Sequence, residues 1–89
     1  MTAFSTQPQT DGAGRALSYG ERAVGITFNP GNNPAVENCK KQFAAIIDDM
    51  NNLRNATTNP EVKRMCSVAI TEAQTSQMWA VKSITWRED

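Results

Sequence analysis

The 89-residue chain has no histidine, two cysteines and one tyrosine, and its nine Lys+Arg are balanced by nine Asp+Glu. Lacking histidine, it lacks the commonest general base at neutral pH, and two cysteines alone cannot supply the four Cys or His donors of a structural zinc site. Neutral overall charge provides no broad basic field for DNA or RNA polymers, whereas a small anion needs only a few cations in one place. No apolar run approaches the roughly 20 residues of a membrane span. The opening MTAFSTQPQT has neither the basic nor the apolar segment of a secretory signal. These absences predict a cytoplasmic protein with no membrane partner, no cofactor and no metal. A domain this small buries a modest fraction of its surface, so self-association is the remaining way to stabilise it.

Residues 1–18, MTAFSTQPQTDGAGRALS, carry no apolar period and read as a flexible tail, with the folded domain over 19–89. The stretch from Ala23 to Phe28 has extended character, with Val24, Ile26 and Phe28 alternating on one side. FNPGNNP then forms a turn cluster. Asn33-Pro34 and Asn59-Pro60 are paired helix-start signals, an N-cap followed by proline at the first helical position. They place helices at about 34–56 and 60–86.

In the first helix Val36, Cys39, Phe43, Ile46, Met50 and Leu53 form a heptad seam. The second helix has a small-residue seam at Val62, Cys66, Ala69, Ala73, Ala80 and Ile84, and a larger one through Met65, Val68, Trp79 and Trp86. A short link makes the pair an antiparallel hairpin. Small residues suit close packing on the first helix, which leaves the tryptophan seam for another subunit or the N-terminal segment, with Lys82 between the rings as a cation–π candidate. The fold class expected is all-α: an antiparallel helical hairpin with a short N-terminal extended or helical segment, assembled as a homo-oligomer.

The same register judges the cysteines. With the bend between Thr57 and Thr58, Cys39 faces Ser76, ten residues from Cys66, which separates the thiols by roughly 15 Å along the axis. A disulfide needs Cα atoms within about 7 Å, so both cysteines are expected free.

No Walker motif, dinucleotide fingerprint, nucleophile elbow or metal cluster occurs, and Asp48 and Asp49, adjacent on a helix, diverge too far to act as a carboxylate pair. No catalytic constellation supports an enzyme. Lys40 and Lys41 sit early in the first helix, and Lys63 and Arg64 early in the second. These are opposite ends of a hairpin, so two subunits are needed to join them. Helix N-terminal amides with a neighbouring Lys or Arg suit a phosphate, while Phe28 can stack on a purine and Asn29 can read base or ribose groups.

Taken together, ERAVGITFNPGNNPAVENCKK and VAITEAQTSQMWAVKSITW resemble the hairpin domain shared by phage anti-CBASS sponge proteins and the N-terminal part of Thoeris anti-defence sponges. The likeness covers about 20–86, and a chain stopping soon after the hairpin resembles the short anti-CBASS type. It implies a hexamer in the cytoplasm of the infected bacterial host. It also implies sequestration, without cleavage, of cyclic dinucleotides such as cyclic GMP-AMP and, in separate pockets, cyclic trinucleotides such as cyclic tri-AMP. Matching physical features to that role gives Tyr19, Arg22, Phe28, Asn29, Lys40 and Arg64 as ligand-binding candidates. Phe28, Asn29 and Lys40, doubled by symmetry, would take the dinucleotide, with Tyr19 or Arg22 as a lid. Arg64 from three chains would take the trinucleotide. The competing expectation is an oligomeric helical adaptor that binds another protein through its tryptophan seam.

Overall fold

The computed structural model describes residues 10–12 and 14–88. Three helices and no strand occur among them: α1 (Tyr19–Ala23), α2 (Pro34–Ala56) and α3 (Pro60–Ile84). Both long helices start as the sequence predicts. Asn33 accepts a hydrogen bond from the Ala35 N–H, Asn59 accepts from Glu61 and Val62, and proline occupies the first turn of each helix. The first helix ends where expected, at Ala56, whereas α3 closes at Ile84 with Thr85 as its C-cap, two residues short of 86.

Thr57, Thr58 and Asn59 join α2 to α3. At the bend, the Lys63 ammonium donates to the Arg54 carbonyl oxygen at 2.8 Å, satisfying one of the carbonyls that a helix end leaves open. Arg54 in turn donates to the Ser67 hydroxyl at 3.0 Å and to the Asn51 amide oxygen at 2.7 Å. Both cysteines are free, Cys66 buried and Cys39 half-buried.

Two expectations need correction. The stretch from Ala23 to Phe28 is not extended: it is the end of α1 followed by turns. Ser18 and Glu21 form a reciprocal capping box, the Ser18 hydroxyl accepting from the Glu21 N–H and the Glu21 carboxylate from the Ser18 N–H. That device starts a helix, which gives way to a turn at Gly25, where φ is +63°. Leu17 is buried and Ser18 is the cap, so the last residues assigned to a tail take part in the fold. Thr10 pairs with Ala16 in a single bridge, and Arg15 forms ion pairs with Asp11 and Glu21, both at 3.0 Å. The remainder of that tail, 1–9 and 13, lies outside the described residues.

The second correction concerns the α2 seam. Its buried line is Val36, Lys40, Ala44 and Ile47, while Ile46 and Leu53 of the heptad seam are exposed. The reason is a second partner: α2 packs on α1 as well as on α3, so the stripe turns toward the groove between them. Ile47, fully buried, joins Val24, Ala44 and Ile70 in the core, with Ala23, Ile26, Phe43, Met50 and Ala73 against it. On α3, Cys66, Ile70 and Gln77 are buried, whereas Met65, Val68, Met78 and Trp79 are exposed, as is Trp86 just beyond its end.

The docking of α1 depends on close approach. The Gly20 N–H donates to Asp48 Oδ1 at 2.6 Å, and a Cβ on Gly20 would run into the Ala44 carbonyl oxygen. Only glycine lets the two backbones meet there. Asp48 is thus a tether for α1, and its neighbour Asp49 is exposed.

Candidate functional site

The FNP segment hangs between α1 and α2 and is shaped by hydrogen bonds to its own ends. Phe28 N–H donates to the Gly25 carbonyl oxygen at 2.9 Å, closing the first turn. Asn29 closes the second: its Nδ2 donates to the Asn33 carbonyl oxygen at 2.9 Å, and its Oδ1 accepts from the Asn33 N–H at 3.2 Å. This second turn brings Asn32 to φ +51°, a left-handed value that asparagine tolerates. Since Asn33 caps α2, the loop and the helix entry form one hydrogen-bonded unit.

Lys40 reaches this unit from inside α2. Its Nζ donates to the carbonyl oxygens of Gly25 at 3.0 Å and Phe28 at 2.5 Å and lies 5.5 Å from the Phe28 ring centroid. Only 5% of Lys40 is exposed, against 70% of Phe28. Burial pulls the Lys40 ammonium below the usual lysine value of 10.5.

Phe28, Asn29, Pro30, Val36 and Lys40 line one side of a cleft of about 260 Å³, and Val81 and Thr85 from the end of α3 line the other. Three of the six sequence candidates therefore meet in one place. Val81 and Thr85 escaped the sequence reading, although the hairpin register that separated the cysteines also sets residues 81–85 beside 30–34. A second cleft, of about 450 Å³, shares Asn29 and is lined by Arg15, Glu21, Asn32, Glu37 and Lys41 among others. Its charges are largely paired: Lys41 with Glu37 at 3.1 Å and Arg15 with Glu21 at 3.0 Å. The Arg15 hydrogen bond and then the Ser18 N–H hold the Glu21 carboxyl below its usual value.

Within one chain the remaining candidates stand elsewhere. The Tyr19 ring lies beneath the Arg54 guanidinium, 5.6 Å from ring centroid to Cζ. Arg22 donates to the Leu17 carbonyl oxygen at 2.9 Å and lines a groove with Thr71, Gln74 and Gln77. Arg64, early in α3, is exposed and paired with Glu61, whose carboxylate raises the Arg64 pKa through their hydrogen bond. Trp79 and Trp86 share a face as their spacing predicts, flanking a shallow groove with Lys82 and Ser83. The cation–π contacts among the described residues are those of Lys40 and Arg54.

Among the described residues no group of three or more His, Cys, Asp or Glu side chains could hold a metal ion, and no helix is long and apolar enough to cross a membrane. No curated protein and no solved structure matches the chain. The family model of the Acb2/Tad1 hairpin domain matches residues 21–85, a span that contains every residue lining the Phe28 cleft. The chain therefore belongs to the Acb2/Tad1 hairpin-domain family, the anti-CBASS and anti-Thoeris sponges.

Proposed function

We propose that the protein binds cyclic di- and trinucleotide second messengers in the host cytoplasm and holds them uncleaved, so that CBASS effectors are not activated. The observation that carries this reading is the Phe28 ring, exposed at the mouth of a cleft that Asn29 and Thr85 line with polar groups and Pro30, Val36 and Val81 with apolar ones. An exposed aromatic face beside hydrogen-bonding groups suits a purine. At about 260 Å³ the cleft is below the range of about 300–1,000 Å³ typical of small-ligand pockets. One chain thus offers part of a site for a cyclic dinucleotide, and a second copy would supply the rest, including Tyr19 or Arg22 as closing groups.

Self-association is supported independently by the outer face of α3 and the residues just past its end, where Met78, Trp79 and Trp86 are each more than 60% exposed. A hexamer would use such faces and repeat both kinds of site. Arg64 lies at the far end of the hairpin from the Phe28 cleft, so three copies about a threefold axis would form a separate pocket for a cyclic trinucleotide. Separate pockets make separable mutants. Arg64→Ala is expected to weaken cyclic tri-AMP binding at least about ten-fold, the loss of one charge-assisted hydrogen bond, and to spare cyclic GMP-AMP. Isothermal titration with each ligand checks this; equal loss of both from an intact oligomer contradicts it. Recovery of intact ligand after heating the complex distinguishes sequestration from hydrolysis.

The same outer face also favours a second reading, an oligomeric helical adaptor that binds another protein. Its signature is a purified oligomer that keeps Trp79 and Trp86 exposed and binds no cyclic nucleotide.

A further inference from the structure

We infer that Lys40 is a positioning residue, whose ammonium ties the Gly25–Phe28 turn to α2 and sets the Phe28 ring without touching the ligand. This rests on the nucleotide-binding reading for its consequence and on the ligand-free geometry for its premise. An ammonium has three donors and no acceptor. Two of the Lys40 donors are used by the Gly25 and Phe28 carbonyl oxygens, and the ring of Phe28 stands over the nitrogen. A lysine that waits for a phosphate keeps its head group in solvent, where it stays hydrated until the ligand arrives. Lys40 does the reverse, with 5% of the whole residue exposed and its ammonium bonded to two backbone carbonyls.

The two carbonyls it ties are the ends of one turn. The Gly25 oxygen already accepts from the Phe28 N–H, so Lys40 adds a second donor to that oxygen and a first to Phe28. Without the ammonium, the Phe28 carbonyl would lose this partner, and the turn would keep the packing of Ile26 on the core but lose both hydrogen bonds from Lys40. Phe28 itself has little to hold it, being largely exposed. Its orientation therefore depends on the backbone that carries it, and that backbone is held by Lys40. A ring fixed before binding loses less freedom on stacking. In the assembly the charges that meet phosphate are then those of other side chains.

Two experiments test the inference. In protein labelled with 15N-lysine and free of ligand, the Lys40 Nζ resonance is expected to exchange slowly with water and to keep its shift when cyclic GMP-AMP is added to saturation. A fast-exchanging Lys40 ammonium in the free protein, or one that gains coupling to ligand phosphorus, overturns the inference. Because the first of these needs no ligand, it decides the premise even if no cyclic nucleotide binds, an outcome that would sink the functional reading alone. The second experiment is a double-mutant cycle. Lys40→Met keeps most of the apolar stem and is expected to weaken cyclic GMP-AMP binding about ten-fold, the scale of a lost charged hydrogen bond. The salt dependence of binding should stay the same, and Lys40→Met combined with Phe28→Ala should bind no more weakly than Phe28→Ala. Additive losses with a flatter salt dependence would show Lys40 on the phosphate. If Lys40→Met fails to fold, the exchange rate in the labelled wild-type protein still decides between the two roles.

Discussion

The hairpin and the N-terminal arm are built by different means. In α2 and α3 the start signals are local, Asn33-Pro34 and Asn59-Pro60, and the packing is apolar and periodic. In residues 17–33 the buried Leu17 and Val24 and local caps and turns are joined by single polar contacts reaching across the chain: Asp48 to Gly20, and Lys40 to Gly25 and Phe28. Apolar stripes tolerate sliding and adjustment, whereas a contact between one N–H and one carboxylate oxygen either exists or does not. Under the proposed function the two regions also divide the work. The hairpin is the scaffold, and the arm carries the Phe28 loop.

The sharpest way to break that contrast is at the residue both regions share. Ile47 is fully buried and packs in one cluster with Val24 of the arm and Ile70 of α3. Ile47→Ala is expected to cost about 4 kcal/mol and to unfold arm and hairpin together in a urea titration followed by circular dichroism. Separate transitions would show that the two regions do not share a core. A smaller effect is expected from Gly20→Ala, which pushes a methyl against the Ala44 carbonyl and costs about 2 kcal/mol by overpacking. Amide exchange should rise over residues 18–28 and stay slow within α2 and α3. Uniform acceleration would instead mean that the arm is integral to the hairpin.

Acid provides the mildest perturbation. The Glu21 carboxyl is held below its usual 4.5, first by the Arg15 hydrogen bond and then by the Ser18 N–H. A depressed carboxyl contributes stability that is complete above its unfolded value and is lost as pH falls through the lower folded value. The arm should therefore loosen below about pH 4.5, and Glu21→Gln should flatten that dependence by removing the stability that ionised Glu21 contributes above that pH. Exchange rates at residues 18–28 measured across the acid range check the direction; an arm whose acid response survives the substitution would point to another carboxylate.

The contrast also explains what is legible in the sequence. Asn-Pro starts are recognised from two adjacent residues, and the hairpin follows directly from them. Heptad spacing misplaces the α2 seam at Ile46 and Leu53 because the periodicity of one helix cannot show that a second partner leans on its flank. Ser18 and Glu21 are a readable local signal, since Ser-x-x-Glu is a capping box, yet the β-branched residues that follow argue for an extended segment. The burial of Lys40 is not legible at all. Lysine beside lysine at 40–41 looks like solvated charge, and only the fold shows that one faces the loop carbonyls while the other pairs with Glu37 at the surface. Of the six candidates, Phe28, Asn29 and Lys40 meet because they are close in sequence once α2 begins. Tyr19, Arg22 and Arg64 would join a site only through other copies, about which a single sequence says little.

The central claim is that this hairpin captures cyclic nucleotides and releases them unchanged. Its most direct test is calorimetric titration of the purified, full-length protein with cyclic GMP-AMP, followed by heating and chromatography of the freed ligand. Saturable binding, with all of the added messenger recovered intact, is the predicted result. Absence of binding at micromolar concentration, or recovery of a linear product, would contradict it.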